Sequence, residues 1–529
     1  MTTLSDAFMT SAGAARRDPR LEAIRAKVER GERLTLADGD LLFTTPDIWT
    51  VCELADVVRR RLHGERAYYN INRHLNYSNV CALSCKFCEF YAKAGDDKAY
   101  TRDMAYVRQQ VEEAVENGAT EMHSVGGLHP TLPFSYYTDL CATIRDTARS
   151  LGSELHVKAF TAVEIVHLAK IAKVWKGASA PGPEGRAARR EGIRHVLTKL
   201  KEAGLGSLPG GGAEVFDDRV HDEAYKGKIR SDVWLDVHRV AHELGLNTNA
   251  TILYGHIEQR HERLVHMDML RRAQDAALAR LGYEGGTKQS GGTKGQRDNG
   301  TKGAESEGNG GAEGQGAGED LARSEGGHLG YRGDDSDAPV ITLTKPGTPL
   351  PEHVAFGSSS SGSPRAQCPV PSAFSSGSPD ARCLMPDAFP NAQCPVPSAS
   401  AFGYYQTIIP LPFFPDGSEL EALPGPTGLE NLRTLAVARL MLDNFPHVKA
   451  FWIMQTLPMA QLMLQNGADD IDGTVVWYDI THVGGANTHQ EVNVWTLQKA
   501  IREAGFTPIE RDTLYRRVVR DGKRWRSEV

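Results

Sequence analysis

Apolar positions along this chain fall into two periods that take turns. Short runs rich in β-branched and aromatic residues suit strands, and each is followed by a longer stretch of helical spacing. "AYVRQQVEEAVENG" places Val107, Val111, Ala114 and Val115 on one face and stops at Gly118. "DVWLDVHRVAHELG" does the same with Val233, Val237, Val240, Ala241 and Leu244 before Gly245. The strand candidates are "YNINRHLNYS" (69–78), "EMHSVG" (121–126), "LHVKAF" (155–160), "SLPGG" (207–211), "NTNATIL" (247–253), "YYQTIIP" (404–410), "VKAFWIM" (448–454) and "DGTVVWY" (472–478). Strands alternating with helices predict parallel pairing through crossover connections. Eight of them make a (β/α)₈ barrel of the TIM type the economical architecture, an open sheet covered by helices on both faces being the alternative. Upstream, "RLEAIRAKVERGERLTLADGDLLF" has helical spacing broken at Gly31, so residues 1–66 read as a helical lead-in.

Two stretches leave the rhythm. Residues 176–193, around "GASAPGPEGRAARREG", are rich in Ala, Gly, Pro and Arg and read as a surface insertion. Residues 282–401 are rich in Gly, Ser, Pro and charge, too polar to offset the entropy of ordering, and read as a disordered insertion. That insertion carries a repeat, "SGSPRAQCPVPSAF", "SGSPDARCLMPDAF" and "PNAQCPVPSASAF", whose Cys368, Cys383 and Cys394 are copies within a duplicated tract. The expected organisation is therefore 1–66 lead-in, 67–281 first part of the barrel, 282–401 insertion, and 402–529 barrel completion with a C-terminal region. Because the insertion lies between a helix and the following strand, it is expected at the face opposite the one where barrel sites form.

Composition narrows the function classes. Lys and Arg number 60 against 67 Asp and Glu, a formal net charge of −7, which gives no reason to expect a nucleic-acid partner. No window approaches the ~18 apolar residues of a membrane span, and the N-terminal stretch has no signal-peptide core, so a cytoplasmic protein without a membrane partner is expected. Among the eight cysteines, three crowd into "CALSCKFC" as Cys81, Cys85 and Cys88. In a reducing compartment clustered thiols are metal ligands rather than disulfide halves.

Three thiolates suit a cubane iron–sulfur cluster with one iron left open for the reacting species. The competing reading is a zinc knuckle completed by His74, in a non-catalytic scaffold, but the second ligand pair usual in such sites is missing. Further motifs fall at the ends of successive strands: Gly126 and Gly127 in "SVGGLHP", Lys158 and Glu164 in "KAFTAVE", Gly210 to Gly212 and Glu214 in "LPGGGAE", and Gly255 and Glu258 in "ILYGHIE".

The cysteine spacing, with Phe87 just before the last thiol, resembles the radical S-adenosylmethionine (SAM) enzymes. Together with "VGGLHP", "HVKAFTAVE", "SLPGGGAE", "YGHIE" and "PGPTGLENLRTLAVARLMLDNF", it resembles the aminofutalosine synthase family, over about residues 40–280 and 403–516. The chain departs from it at Gln259 and Arg260 and in the two insertions. The resemblance implies a barrel of the radical SAM class and a 4Fe-4S cluster on Cys81, Cys85 and Cys88, with SAM chelating the open iron and consumed as co-substrate. It implies SAM contacts at Phe87, Gly126, Gly127, Glu164, Gly255 and Glu258. It further implies addition of the adenosyl group to 3-[(1-carboxyvinyl)oxy]benzoate to give 6-amino-6-deoxyfutalosine for menaquinone, with a flavodoxin or ferredoxin as reductant. A substrate with two carboxylates calls for cations or donors, for which Arg73, His74, His129, Lys158 and His256 are candidates, with Glu214 as a base or polar contact. The sister enzymes, dehypoxanthine futalosine cyclase and the deazaflavin-forming synthase, share the cysteines and the glycine-rich loop.

Overall fold

Val107, Val111 and Ala114 are buried along one side of the helix Met104–Glu116, as their spacing requires. The computed structural model describes residues 17–284, 287–288, 401–474 and 491–528. The helix starts at Asp103, whose side chain accepts from the Tyr106 N–H, and it is followed by Gly118 at φ 72°. Three helices, Leu21–Arg30, Leu36–Thr44 and Ile48–His63, form the lead-in. The first ends at left-handed Gly31, and the second opens with a Thr35/Asp38 capping box.

The strands are β1 (Arg66–Asn70), β2 (Asn72–Leu75), β3 (Glu121–Ser124), β4 (His156–Ala159), β5 (Leu205–Leu208) and β6 (Asn247–Tyr254). After the small hairpin of β7 (Tyr283–Glu284) and β8 (Thr287–Lys288) come β9 (Tyr405–Pro412), β10 (His447–Val448), β11 (Asp470–Gly473) and β12 (Thr507–Glu510). A hairpin of β13 (Val518–Asp521) and β14 (Arg524–Ser527) follows. Seven strands pair in parallel in the order β10-β9-β6-β5-β4-β3-β2. The two ends of this sheet meet through β11. Lys449, just past β10, bridges to Asp470, while β11 pairs in parallel with β1, and the Thr474 hydroxyl donates to the Asn72 carbonyl at 3.1 Å. The eight barrel positions are thus the broken strand β1/β2, then β3, β4, β5, β6, β9, β10 and β11, with helices between them. All eight expected strands have a counterpart.

Two sequence expectations differ from the structure, and a third falls partly outside the described residues. "VKAFWIM" is strand only at its start, because Trp452–Gln455 turns into a helix. The expected surface insertion at 176–193 is in large part the first half of a long helix, Gly182–Ala203. Pro183 sits in its first turn, where a missing N–H costs nothing, and the Ala and Arg that follow are strong helix formers. Its Gly185 and Gly192 are close-approach positions: a Cβ on Gly185 would lie 1.7 Å from the Ala180 carbonyl oxygen. "DGTVVWY" begins inside β11, and its last four residues lie outside the described residues, as does nearly all of the 282–401 insertion with its repeats. Among the described residues, no helix is long and apolar enough to cross a membrane.

Candidate functional site

The loop after β2 carries the cysteines and is pinned from several sides. Cys81 N–H donates to the Ala92 carbonyl at 3.0 Å, Ala82 N–H to Leu128 at 2.9 Å, Lys86 N–H to Ala224 at 3.0 Å, and Glu419 N–H to the Lys86 carbonyl at 2.8 Å. Cys81, Cys85 and Cys88 all line one cavity of about 290 Å³ at the strand ends. Burial pushes the Cys85 thiol up to about 11 and raises Cys88 as well, although the Phe90 and Tyr91 N–H groups and the Lys228 ammonium pull Cys88 back. The Leu83 and Leu128 N–H groups each lie 3.4 Å from Cys81 Sγ. Backbone donors and a cation around sulfur suit thiolates that carry metal charge.

The spacing of the three thiols separates the two metal readings. Tetrahedral zinc with bonds of ~2.3 Å holds its sulfurs ~3.8 Å apart, whereas a four-iron cubane spreads them much wider. Among the described residues, the group of His, Cys, Asp and Glu whose ligand atoms converge within 4.8 Å is His63, His447 and Asp469, not the cysteines. That converging group is an ion-paired knot: Asp469 also binds Arg439 and accepts from Val448 N–H at 2.8 Å. His74, the proposed fourth zinc ligand, lies instead in the barrel lumen, its ring 4.4 Å from that of His123. The cysteine set fits a cluster.

Gly126 and Gly127 follow β3, and their lack of side chain has a cause within the chain. A Cβ on Gly127 would lie 2.3 Å from the Val80 carbonyl oxygen, and one on Gly126 would lie 2.6 Å from the Tyr77 ring. The stem of the cysteine loop packs directly on this backbone, with Gly127 N–H donating to the Ser78 carbonyl at 2.8 Å. Both glycines line the cavity. Glu164 ties the same strand ends together. One oxygen accepts from Thr161 N–H and hydroxyl at 2.7 and 2.8 Å, the other from the Tyr77 hydroxyl at 2.7 Å and Gly126 N–H at 3.1 Å. Burial pushes its carboxyl up to about 7 despite these four donors. Thr161 and Glu164 form a capping box at the start of the helix after β4, and Glu164 reaches beyond it to Tyr77 and Gly126.

The floor of the cavity is ionic. Lys158 of β4 pairs with Glu121 of β3 at 2.7 Å, and Lys449 pairs with Asp472 of β11 at 2.6 Å, all four buried. His123 lies on the same face of β3 as Glu121, and its Nε2 has no hydrogen-bond partner. Burial and the neighbouring His74 hold His123 well below the usual imidazole range, so it is neutral. Sequence reading missed Glu121, His123, Lys449 and Asp472; a polar residue at every second strand position, as in "EMHS", was the available signal.

Glu214 and Lys228 form a further ion pair in the wall. Glu214 sits at φ 46° after the three glycines, of which Gly212 is at φ 85°.

Several expected contacts point elsewhere. Arg73 is one position out of phase with His74 on β2, so its guanidinium faces the helix Met104–Glu116 and bonds Gln110 at 2.6 Å as well as Glu113. Glu258 spends its oxygens on Gly255 N–H at 2.6 Å, His256 N–H at 2.9 Å and Arg263 at 2.6 Å, which folds its own loop. His256 meets the Leu253 carbonyl at 3.1 Å, and His129 accepts from Leu132 N–H at 3.2 Å. Of the expected site residues, Arg73, His74, His129, Gly255, His256 and Glu258 are absent from the cavity lining, while the cysteines, Phe87, Gly126, Gly127, Lys158, Glu164 and Glu214 are part of it.

A family model described as the Radical SAM superfamily matches residues 75–270, and one described as the CofH/MqnC C-terminal region matches residues 402–521. The chain is 33% identical over 506 residues to aminodeoxyfutalosine synthase of Thermus thermophilus, covering 95% of this chain and 97% of the relative. It is 26% identical over 494 residues to the 5-amino-6-(D-ribitylamino)uracil–L-tyrosine 4-hydroxyphenyl transferase of Methanopyrus kandleri, covering 93% and 94%. Among solved structures, methylornithine synthase is similar in fold, with TM-score 0.51 at 12% identity over 92% of this chain and 96% of the other.

Proposed function

Because the chain belongs to the aminodeoxyfutalosine synthase family of radical SAM enzymes, we propose that it transfers the adenosyl group of SAM to 3-[(1-carboxyvinyl)oxy]benzoate, giving 6-amino-6-deoxyfutalosine. Cys81, Cys85 and Cys88 would hold a 4Fe-4S cluster, which with SAM bound would supply one-electron reductive radical chemistry. The observation that carries the reading is likeness along both halves of the chain, because Lys449 and Asp472 of the cavity floor come from the C-terminal part.

This chain's own residues bind, orient and exclude water. The thiols of Cys81, Cys85 and Cys88 give up their protons to bind iron, and the donors around them hold the resulting charge. Gly126 and Gly127 keep the cysteine loop seated against the end of β3. An ammonium has three donors, and Lys158 and Lys449 each give one to their carboxylate partner. The remaining donors receive the substrate carboxylates on the cavity floor, with neutral His123 beside Lys158. Phe413, Phe451 and Met454 wall the chamber with apolar surface and keep water from the reacting carbons. Residues 67–281 and 402–529 act as one catalytic unit, to which 282–401 is an appendage.

Anaerobically reconstituted protein is incubated with SAM, dithionite and the enol-ether benzoate, and products are followed by mass. The reading expects the adenosyl group inside the product. Release of free 5′-deoxyadenosine with the benzoate unchanged would overturn it, and turnover of tyrosine with the ribitylaminouracil would reassign the chain to the transferase.

A further inference from the structure

Lys228, which no sequence motif singled out, lies beside the cysteine loop in a fixed attitude. The segment carrying it packs on that loop: the Ala224 carbonyl accepts from Lys86 N–H at 3.0 Å, and a Cβ on Gly227 would lie 3.3 Å from the Leu83 side chain. Tyr225 meets Phe87 edge to face at 5.9 Å. Lys228 Nζ sits 4.9 Å from the centre of the Phe87 ring and 6.0 Å from that of Tyr225, and it is locked by Glu214. Phe87, Cys85, Cys88, Glu214 and Lys228 all border the same cavity.

We propose that Lys228 is a positioning residue that sets the electron affinity of the cluster, its ion pair with Glu214 holding the ammonium beside the cysteine loop. This rests on the reading of the three cysteines as cluster ligands. The placement follows from geometry: the ammonium is held over Phe87, the residue directly before Cys88, and it borders the same cavity as Cys85 and Cys88. Reduction adds negative charge to the cluster, and a cation in a low-dielectric wall favours the state that carries more of it. The aromatic faces of Phe87 and Tyr225 keep the ammonium in place without neutralising it. Glu214 therefore has two opposed effects, fixing the cation and partly cancelling its field.

The experiment compares reconstituted wild type with Lys228→Met, Lys228→Arg and Glu214→Gln, by iron and sulfide content, cluster spectrum, SAM affinity and an EPR-monitored redox titration. Lys228→Met is expected to load iron normally and to shift the cluster midpoint to more negative potential, with a several-fold smaller reduced fraction at a fixed dithionite potential. Lys228→Arg restores the wild-type midpoint. Glu214→Gln moves it the other way, to more positive potential, which a merely structural role would not produce. Equal midpoints in all loaded variants, or a change confined to SAM affinity, overturn the inference. If Lys228→Met fails to load, the sign of the Glu214→Gln shift still decides. Failure of the wild type to take up a cluster overturns the ligand reading instead, and is seen before any variant is compared.

Discussion

Cys85 is the least exposed of the three cysteine residues, at 7%, and the bonds that hold its loop are made by backbone. Cys85→Ala is therefore expected to reduce iron content and turnover to background while the far-ultraviolet circular dichroism spectrum of the barrel stays unchanged. Glu164 carries a pH signature of another kind. Its carboxyl is raised from 4.5 to about 7 by burial, so across that window the unfolded chain releases a proton that the folded chain keeps. Stability from this group is complete below the lower value and is lost as pH rises through about 7. The unfolding free energy of the wild type from urea titrations should fall by an amount on the order of a few kcal/mol between those values, and Glu164→Gln should flatten that part of the profile. At this scale the cysteines were legible because three identical side chains share eight residues. Lys228 was not, because "YKGKIR" offers three cations at alternate positions and only the fold selects which of them meets Phe87.

Elements were legible where one period ran long enough to decide. The helices Met104–Glu116 and Ser231–Glu243 match their apolar spacing, and six of the eight expected strands overlap an observed strand by two residues or more within the fully described segments, whereas "VKAFWIM" is strand only at its start and most of "DGTVVWY" lies outside the described residues. Misreadings arose where composition stood in for period. Gly and Pro near residue 182 suggested a loop, although both belong to the start of a helix and its close contacts. In-and-out assignment along β2 was also hidden, since a one-residue change of phase exchanges Arg73 for His74 in the lumen. The pairing of the β3 end with the cysteine loop is an element-level dependency that can be tested. Gly127→Ala forces a carbon to within 2.3 Å of the Val80 carbonyl oxygen. Such overpacking costs about 1–3 kcal/mol and pushes the loop off its seat. Iron incorporation is expected to drop several-fold with a modest fall in Tm, measured by metal analysis and calorimetry on one preparation.

For the whole molecule, the flanks of the long insertion are neighbours: Tyr283 and Tyr404 pack in one small cluster with Ala277 and Leu278. Replacing residues 285–400 by a short Gly/Ser linker therefore asks the chain to span little distance, and shortening the loop stabilises the fold by about 2 kcal/mol of closure entropy. We expect kcat of the deletion variant within about twofold of wild type, since such a linker leaves both flanks in register. A well-folded deletion without turnover would show that the insertion takes part in the reaction. The way the ring closes has a further consequence, for synthesis. The cysteine loop and five barrel positions leave the ribosome early, but Lys449, Phe451, Met454 and Asp472 are among the last parts of the chamber to be made. A nascent chain that has emerged only through β6 presents its thiols on an open trough, with Lys158 and Glu121 on its central strands and the edges β1 and β6 still without their partners β11 and β9. Metal delivered at that moment meets water and oxidants freely. The order of residues along the chain thus favours cluster assembly after release, when the last strands have closed the trough into a chamber.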